Sequence, residues 1–274
     1  MAKTAFNATV VAAELNLKFR QNLVISSIVN RNYEGELVNV GDTVKIIRPL
    51  GTTIRPYSND TDITVDEVDA SENLLVADQG NYFAFYMHDN ENASKYVNAF
   101  ISEDAYALIQ AADAYVLGKY ADSDPANQIA LASGYEAADF VEAIRDARAR
   151  LTKQSVPEEG RFVVIGPDEL KLVEDVLVTR NTQMGDQTLR AGFVGQLAGF
   201  NVFVSPALKE TGTSPKYRHC MFGHTSAITY ADAISQIETM RSENRFADLV
   251  RGLHVYGAKT IRPEAIGDLR IAVA

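Results

Sequence analysis

The sequence predicts an α+β fold. Residues 41–89 carry apolar side chains at a period of two, the spacing of half-buried strands. One long helical stretch follows at about residues 93–120, and mixed helical and strand-like segments come after it. Helix, sheet, long helix and then a mixture is an α+β order. The chain has 274 residues, 46% of them hydrophobic and 23% charged, enough apolar material for a sizeable core.

At the N-terminus Val11, Leu15, Phe19 and Leu23 recur every four residues and predict a short amphipathic helix. Its apolar face needs a surface to bury against, such as another subunit. Strands are expected in "TVKIIRP" (residues 43–49), "DITVDEV" (62–68), "NLLVAD" (73–78) and "YFAFYMHD" (82–89). Between Arg55 and Lys95 there is no Lys or Arg. That stretch carries Asp60, Asp62, Asp66, Glu67, Asp69, Glu72, Asp78, Asp89 and Glu91, a limb of one charge sign. It reads either as a solvated face or as a surface matched to a basic partner.

In the long helix Val97, Ile101, Ala105, Leu108, Ala112, Tyr115 and Val116 form one apolar stripe, and Ala107, Ala111 and Ala114 a small-residue face. At full length it spans roughly 40 Å. Residues 123–134 read as a turn-rich loop, and Ser133 with Glu136 as a capping box. The next helix turns Phe140, Ile144, Ala147 and Leu151 inward and shows Arg145, Arg148, Arg150 and Lys153 outward, with Pro157 as its stop. "RFVVIGP" (161–167) is a buried strand, "PDELKLVEDVLVTR" (167–180) a helix, residues 181–200 a glycine-punctuated loop and "NVFVSPAL" (201–208) a strand. "AITYAD", "SQIETMRS" and "VRGLHVYGAKTIRP" close the chain as strands.

Composition excludes several classes. A net charge of −10 and a pI near 4.9 do not suit wrapping nucleic acid through phosphate contacts. Cys220 is the sole cysteine, so no intrachain disulfide forms, and a reducing site of synthesis is expected. The first residues lack the apolar core of a signal peptide, and no stretch approaches the ~20 apolar residues of a membrane span.

The catalytic and binding motifs fail one by one. "GLHVYGAK" resembles a phosphate-binding loop, but Ala258 separates Gly257 from Lys259, and the pattern around it is extended where a helix must open. Its glycines are expected to permit bends or close backbone approach. His219, Cys220 and His224 have no further ligand at zinc spacing and read as a strand with a buried thiol. His88 and His254 read as packing or surface residues. The acidic run at 60–69 lacks the glycine and terminal glutamate of a calcium loop. No catalytic, cofactor-binding or metal-binding residue is assigned, and an enzyme is not expected.

Five stretches, in order, resemble the major capsid proteins of tailed double-stranded DNA phages with the Hong Kong 97-type fold, above all the coat-protein subfamily of short-tailed phages. They are "LVISSIVNRNYEGELVNVGDTVKI" (23–46), "NYFAFYMHD" (81–89), "VPEEGRFVVIGPDE" (156–169), "GQLAGFNVFVSPAL" (195–208) and "RFADLVRGLHVYGAKTIRPEAI" (245–266). The resemblance implies an N-terminal arm at 1–40, an E-loop hairpin at 41–89 and a spine helix of the peripheral domain at 90–120. It implies the remaining peripheral domain with the axial domain at 121–240, and C-terminal strands of the peripheral domain at 241–274. It further implies self-assembly into hexamers and pentamers of an icosahedral shell around double-stranded DNA, without sequence-specific binding. A portal, a decoration protein and assembly in the host cytoplasm follow from the same likeness. The large domain inserted in some short-tailed-phage coats is absent, and so is a long helical N-terminal scaffolding segment. A separate scaffolding protein, or none, is therefore implied. The alternative is an encapsulin-type compartment of related fold. Sign segregation makes Asp60, Asp62, Asp66, Glu67, Asp69 and Glu72 the expected contacts for Arg145, Arg148, Arg150 and Lys153 of a neighbouring subunit.

Overall fold

A computed structural model of the chain describes residues 24–33, 39–49, 53–55, 70–88, 93–180, 193–243 and 246–273. The expected N-terminal helix, the strand at 62–68 and the first part of the glycine-punctuated stretch, 181–192, lie outside these residues.

Strands β1 (Thr43–Pro49) and β2 (Ala70–Val76) pair antiparallel as a two-stranded hairpin, with Val44 opposite Leu75 and Ile46 opposite Asn73. Period-two patterning sets the faces. Val44, Ile46 and Leu75 turn inward, while Ile47, Leu74 and Val76 stay exposed. β3 (Gln79–His88) leaves the hairpin and pairs with β11 (Ala247–Thr260), which pairs in turn with β10 (Ile228–Arg241). All pairings in this three-stranded sheet are antiparallel.

Helix α1 (Ala93–Leu117) runs on into a 3-10 turn, Gly118–Asp122. Its stripe of Leu108, Ala112 and Val116 is buried, with Ile109 and Leu117, in one core with Phe83, Val250 and Tyr256 of the three-stranded sheet. His254 is fully buried in β11 and stacks on Tyr256, a packing role as expected.

A seven-stranded sheet forms the rest of the body. Its order is β4 (Gln128–Leu131), β12 (Ile266–Val273), β9 (Lys216–His224), β5 (Arg161–Ile165), β7 (Phe200–Val204) and β6 (Phe193–Leu197), with β8 (Glu210–Thr211) against β9. Helix α2 (Ala137–Lys153) packs on β4, β12 and helix α3 (Pro167–Arg180). All five residues of β5 are buried, and the four apolar ones after Arg161 form the continuous run that a doubly covered strand requires. The C-terminal strands divide between the sheets: β11 lies beside β3, and β12 in the seven-stranded sheet.

Five local readings change. Residues 128–131 form a strand, not loop, because they pair in parallel with β12. The cap of α2 is shifted three residues from Ser133. Glu136 caps the helix and Asp139 reaches back, its carboxylate accepting from the Glu136 N–H at 3.0 Å. Part of the glycine-punctuated stretch is strand β6, hairpinned to β7. "AITYAD" and "SQIETMRS" are one strand, β10, with an irregularity between Ile234 and Gln236 that shifts the register against β11 by one residue.

Pro157 is not the direct stop of α2. The helix ends at Lys153, and Ser155 takes a positive φ of 59°. Arg161, 2% exposed, donates to the carbonyls of Pro157 (2.8 Å), Val156 (2.6 Å) and Arg148 (3.4 Å) and to the Thr152 hydroxyl (3.1 Å). A buried guanidinium thus serves acceptors in and just past the last turn, where the helix dipole also favours a cation.

Candidate assembly surfaces

The hairpin is fastened to the body by a second, smaller core. Val44, Ile46, Leu75 and Ala77 pack with Ala231 of β10, Val255 of β11 and Ile261. Arg48 reinforces the seam, donating to the Ile261 carbonyl at 3.3 Å and pairing with Glu264. Gly257 sits at the crossing. A Cβ there would stand 2.2 Å from the Val76 carbonyl oxygen, so only glycine lets β2 approach β11 this closely. The near-miss phosphate loop is therefore mid-strand, and its second glycine makes the close backbone approach expected of it.

Among the described residues, the hairpin's other face has no such cover. Ile47 is 65% and Leu74 44% exposed, interleaved with the exposed pair Lys45–Glu72, whose charged atoms are 3.0 Å apart. A second uncovered apolar surface lies on the three-stranded sheet. There Tyr82 faces Leu253, Ala84 faces Arg251 and Tyr86 faces Leu249 across the β3–β11 register. Glu238 pairs with Arg251, and both line a groove of about 520 Å³ with Tyr82, Ala84, Leu249 and Leu253. Tyr82 is 78% exposed, and Met240 and Phe246 are exposed nearby on β10 and just before β11. The reading of the sequence did not single out these aromatics. Their signal is in "YFAFYM", which is aromatic at both parities: Phe83 goes to the core, while Tyr82 and Tyr86 are left outside.

Of the expected charge contacts, Asp60, Asp62, Asp66, Glu67 and Asp69 lie outside the described residues. Glu72 stands on β2, held by Lys45 of the same hairpin. The four basic residues share α2 but not one role. Arg148 pairs with Glu158 at 3.0 Å, which lowers the Glu158 pKa. Arg150 donates to the carbonyls of Ala126 (2.6 Å) and Gln128 (3.1 Å), tying α2 to the start of β4. Arg145 and Lys153 are exposed.

The histidines and the thiol do not converge. Cys220 is fully buried in β9, and burial pushes its thiol pKa up. His224 bonds Ser226 and the Glu159 carbonyl. His219 lies 2.8 Å from Asp268 through Nδ1 and 2.7 Å from the Thr211 hydroxyl through Nε2, with Tyr120 stacked on its ring at 4.0 Å. Hydroxyl, imidazole and carboxylate stand in the order of a nucleophilic triad. Here they form a joint: Tyr120, just past α1, is clamped onto β8, β9 and β12 through one buried ring. Among the described residues, no group of three or more His, Cys, Asp or Glu is placed to hold a metal ion. No helix among them is long and apolar enough to cross a membrane.

Comparison with known proteins agrees with surfaces built for packing. A family model described as phage capsid protein matches residues 52–269. A chain of Mycobacterium phage Che8 is 27% identical, covers 91% of this chain and 90% of its own, and superposes with a TM-score of 0.68. The capsid structure of the cyanophage P-SCSP1u is 16% identical, covers 100% of this chain and 91% of its own, with a TM-score of 0.69. A virus-like particle from Pyrococcus furiosus is 12% identical, with 96% of both chains covered and a TM-score of 0.57. The last two show likeness of fold alone. No curated protein sequence matches the chain. Fold, family match and half-covered strand surfaces agree: the chain belongs to the phage capsid protein family and is the major capsid protein of a tailed phage, a structural subunit of the virion shell and not an enzyme.

Proposed function

We propose that copies of this chain close into hexamers and pentamers of an icosahedral head around double-stranded DNA, in the Hong Kong 97-type manner. The observation that carries this reading is the hairpin, packed on one face and with Ile47, Leu74 and Val76 exposed on the other. A two-stranded ribbon is marginal alone, and a partner surface that removes Ile47, Leu74 and Val76 from water stabilises it. Residues 41–89 then act as the limb that reaches a neighbour and 1–40 as its arm. Residues 90–120, with 241–274 and part of 121–240, act as the peripheral domain. The rest of 121–240 forms the axial domain. The acidic limb, Asp60 to Glu72, docks beside the neighbour's α2, where Arg145 and Lys153 are exposed and Arg148 exchanges Glu158 for the new partner.

A net charge of −10 suits an inner wall from which packaged DNA slides without sticking. A separate scaffolding protein, a portal and a decoration protein complete the particle, which assembles in the host cytoplasm. The encapsulin-type alternative draws on fold likeness alone, while the family match favours the genome shell.

Electron microscopy of the expressed protein tests the reading. Closed shells or capsomers are expected. A compact chain that stays monomeric at high concentration overturns it. For the charge contact, the R145E/K153E double variant is expected to lose shells and to regain them with D66K/E67K in the limb. An assembled structure with the two surfaces more than a Debye length apart, about 8–10 Å, removes that contact.

A further inference from the structure

The first described segment, residues 24–33, is clipped to the body at two points. At one end Asn30 bridges in parallel to Thr229 of β10: the Asn30 N–H donates to Ile228 (2.9 Å), and the Tyr230 N–H to Asn30 (3.0 Å). At the other end the Ile25 N–H donates to Oδ1 of Asp113 on α1 at 3.3 Å. Between the clips Ile25 and Ile28 are fully buried. Asp113 itself is 5% exposed on the apolar stripe of α1, one residue past Ala112. Tyr230 of β10 lies close enough to feel its charge, and among the described residues the buried Tyr230 hydroxyl has no hydrogen-bond partner. The nearby cation, Arg31, pairs with Asp232 of β10 at 3.3 Å, and His254 of β11 lies 3.5 Å from the other oxygen of Asp232. Tyr256 of β11 packs beside Tyr230, with ring centroids 6.2 Å apart.

We propose that Asp113 is a proton-operated latch for the root of the N-terminal arm: neutral, it lets residues 24–33 seat against the body, and ionised, it weakens their hold. A buried carboxylate whose contacts are backbone N–H groups is poorly compensated for the water it has lost. Burial pushes the Asp113 pKa up to about 7, against the downward pull of the Ile25 and Val24 N–H groups. A carboxyl raised in the seated state and ordinary, near 3.8, in the peeled state binds more protons when seated. The latch is therefore strongest below the ordinary value, weakens as pH rises towards 7 and is flat above it. Between pH 5 and pH 7 the seated fraction loses roughly fifty-fold in its opening equilibrium.

Hydrogen exchange by mass spectrometry on the full-length chain tests this, read on peptides covering 24–33 and normalised for intrinsic exchange at each pH. Protection is expected to fall roughly fifty-fold from pH 5 to pH 7 in the wild type. In Asp113→Asn it is expected to stay flat, near the wild-type level at pH 5. A flat wild-type profile overturns the latch. So does an Asp113→Asn profile that keeps the slope, which assigns it to His254 and Asp232. If Asp113→Asn does not fold, Tyr230→Phe leaves the carboxyl in place and must keep the slope; losing it overturns the proposal. The readout is internal to the protomer, so a chain that fails to assemble leaves the latch testable and sinks only the shell reading.

Discussion

The hairpin and the seven-stranded sheet are both built from apolar strands, yet they stand differently toward water. β5 is central in its sheet, flanked by β9 and β7, and all five of its residues are buried. β1 and β2 have one partner each, and only alternate residues reach the small core beneath them. The seven-stranded sheet covers its central strand on both faces. The limb is held at its base and leaves Ile47, Leu74 and Val76 for something else to cover. In one polypeptide, then, self-sufficiency and incompleteness are set by how many neighbours a strand has.

Substitutions that break each side of this contrast are expected to differ in size and in kind. Phe162→Ala, at a residue 1% exposed in β5, is expected to cost the body about 3–5 kcal/mol in denaturant unfolding. Arg161→Met removes the donor shared by the acceptors around the end of α2, at an expected cost of about 2–4 kcal/mol. Gly257→Ala forces β2 away from β11, at about 1–3 kcal/mol. Its signature is faster proteolysis of the hairpin while the seven-stranded sheet keeps its protection. Ile47→Ser with Leu74→Ser is expected to change protomer stability by less than about 1 kcal/mol, because neither side chain is in a buried core. Shells counted by electron microscopy should nevertheless be lost. If those variants assemble normally, the limb's outer face is not an interface and the contrast fails.

The α+β class, the hairpin strand at residues 43–49, the start of α1 at 93 and the buried strand at 161–165 were legible because each has its own period or a clear stop. The four-residue strand β4 was not legible. "QIAL" sits between Asn127 and a turn, and its partner, β12, lies far along the chain. Arg161 looked like an ordinary residue at a strand entrance. Its role appears only when α2 ends beside it. Asp113 was equally silent, because a carboxylate on a helix is usually solvated, and the segment that covers this one arrives from residue 25.

Periodicity and residue type by themselves determined most of which segments are strands or helices and the absence of a usable phosphate loop. Tertiary structure alone decided which polar groups are trapped, where glycine is required and which face of each strand remains open. Local propensity acts between near neighbours, whereas burial depends on segments the chain brings together from far apart.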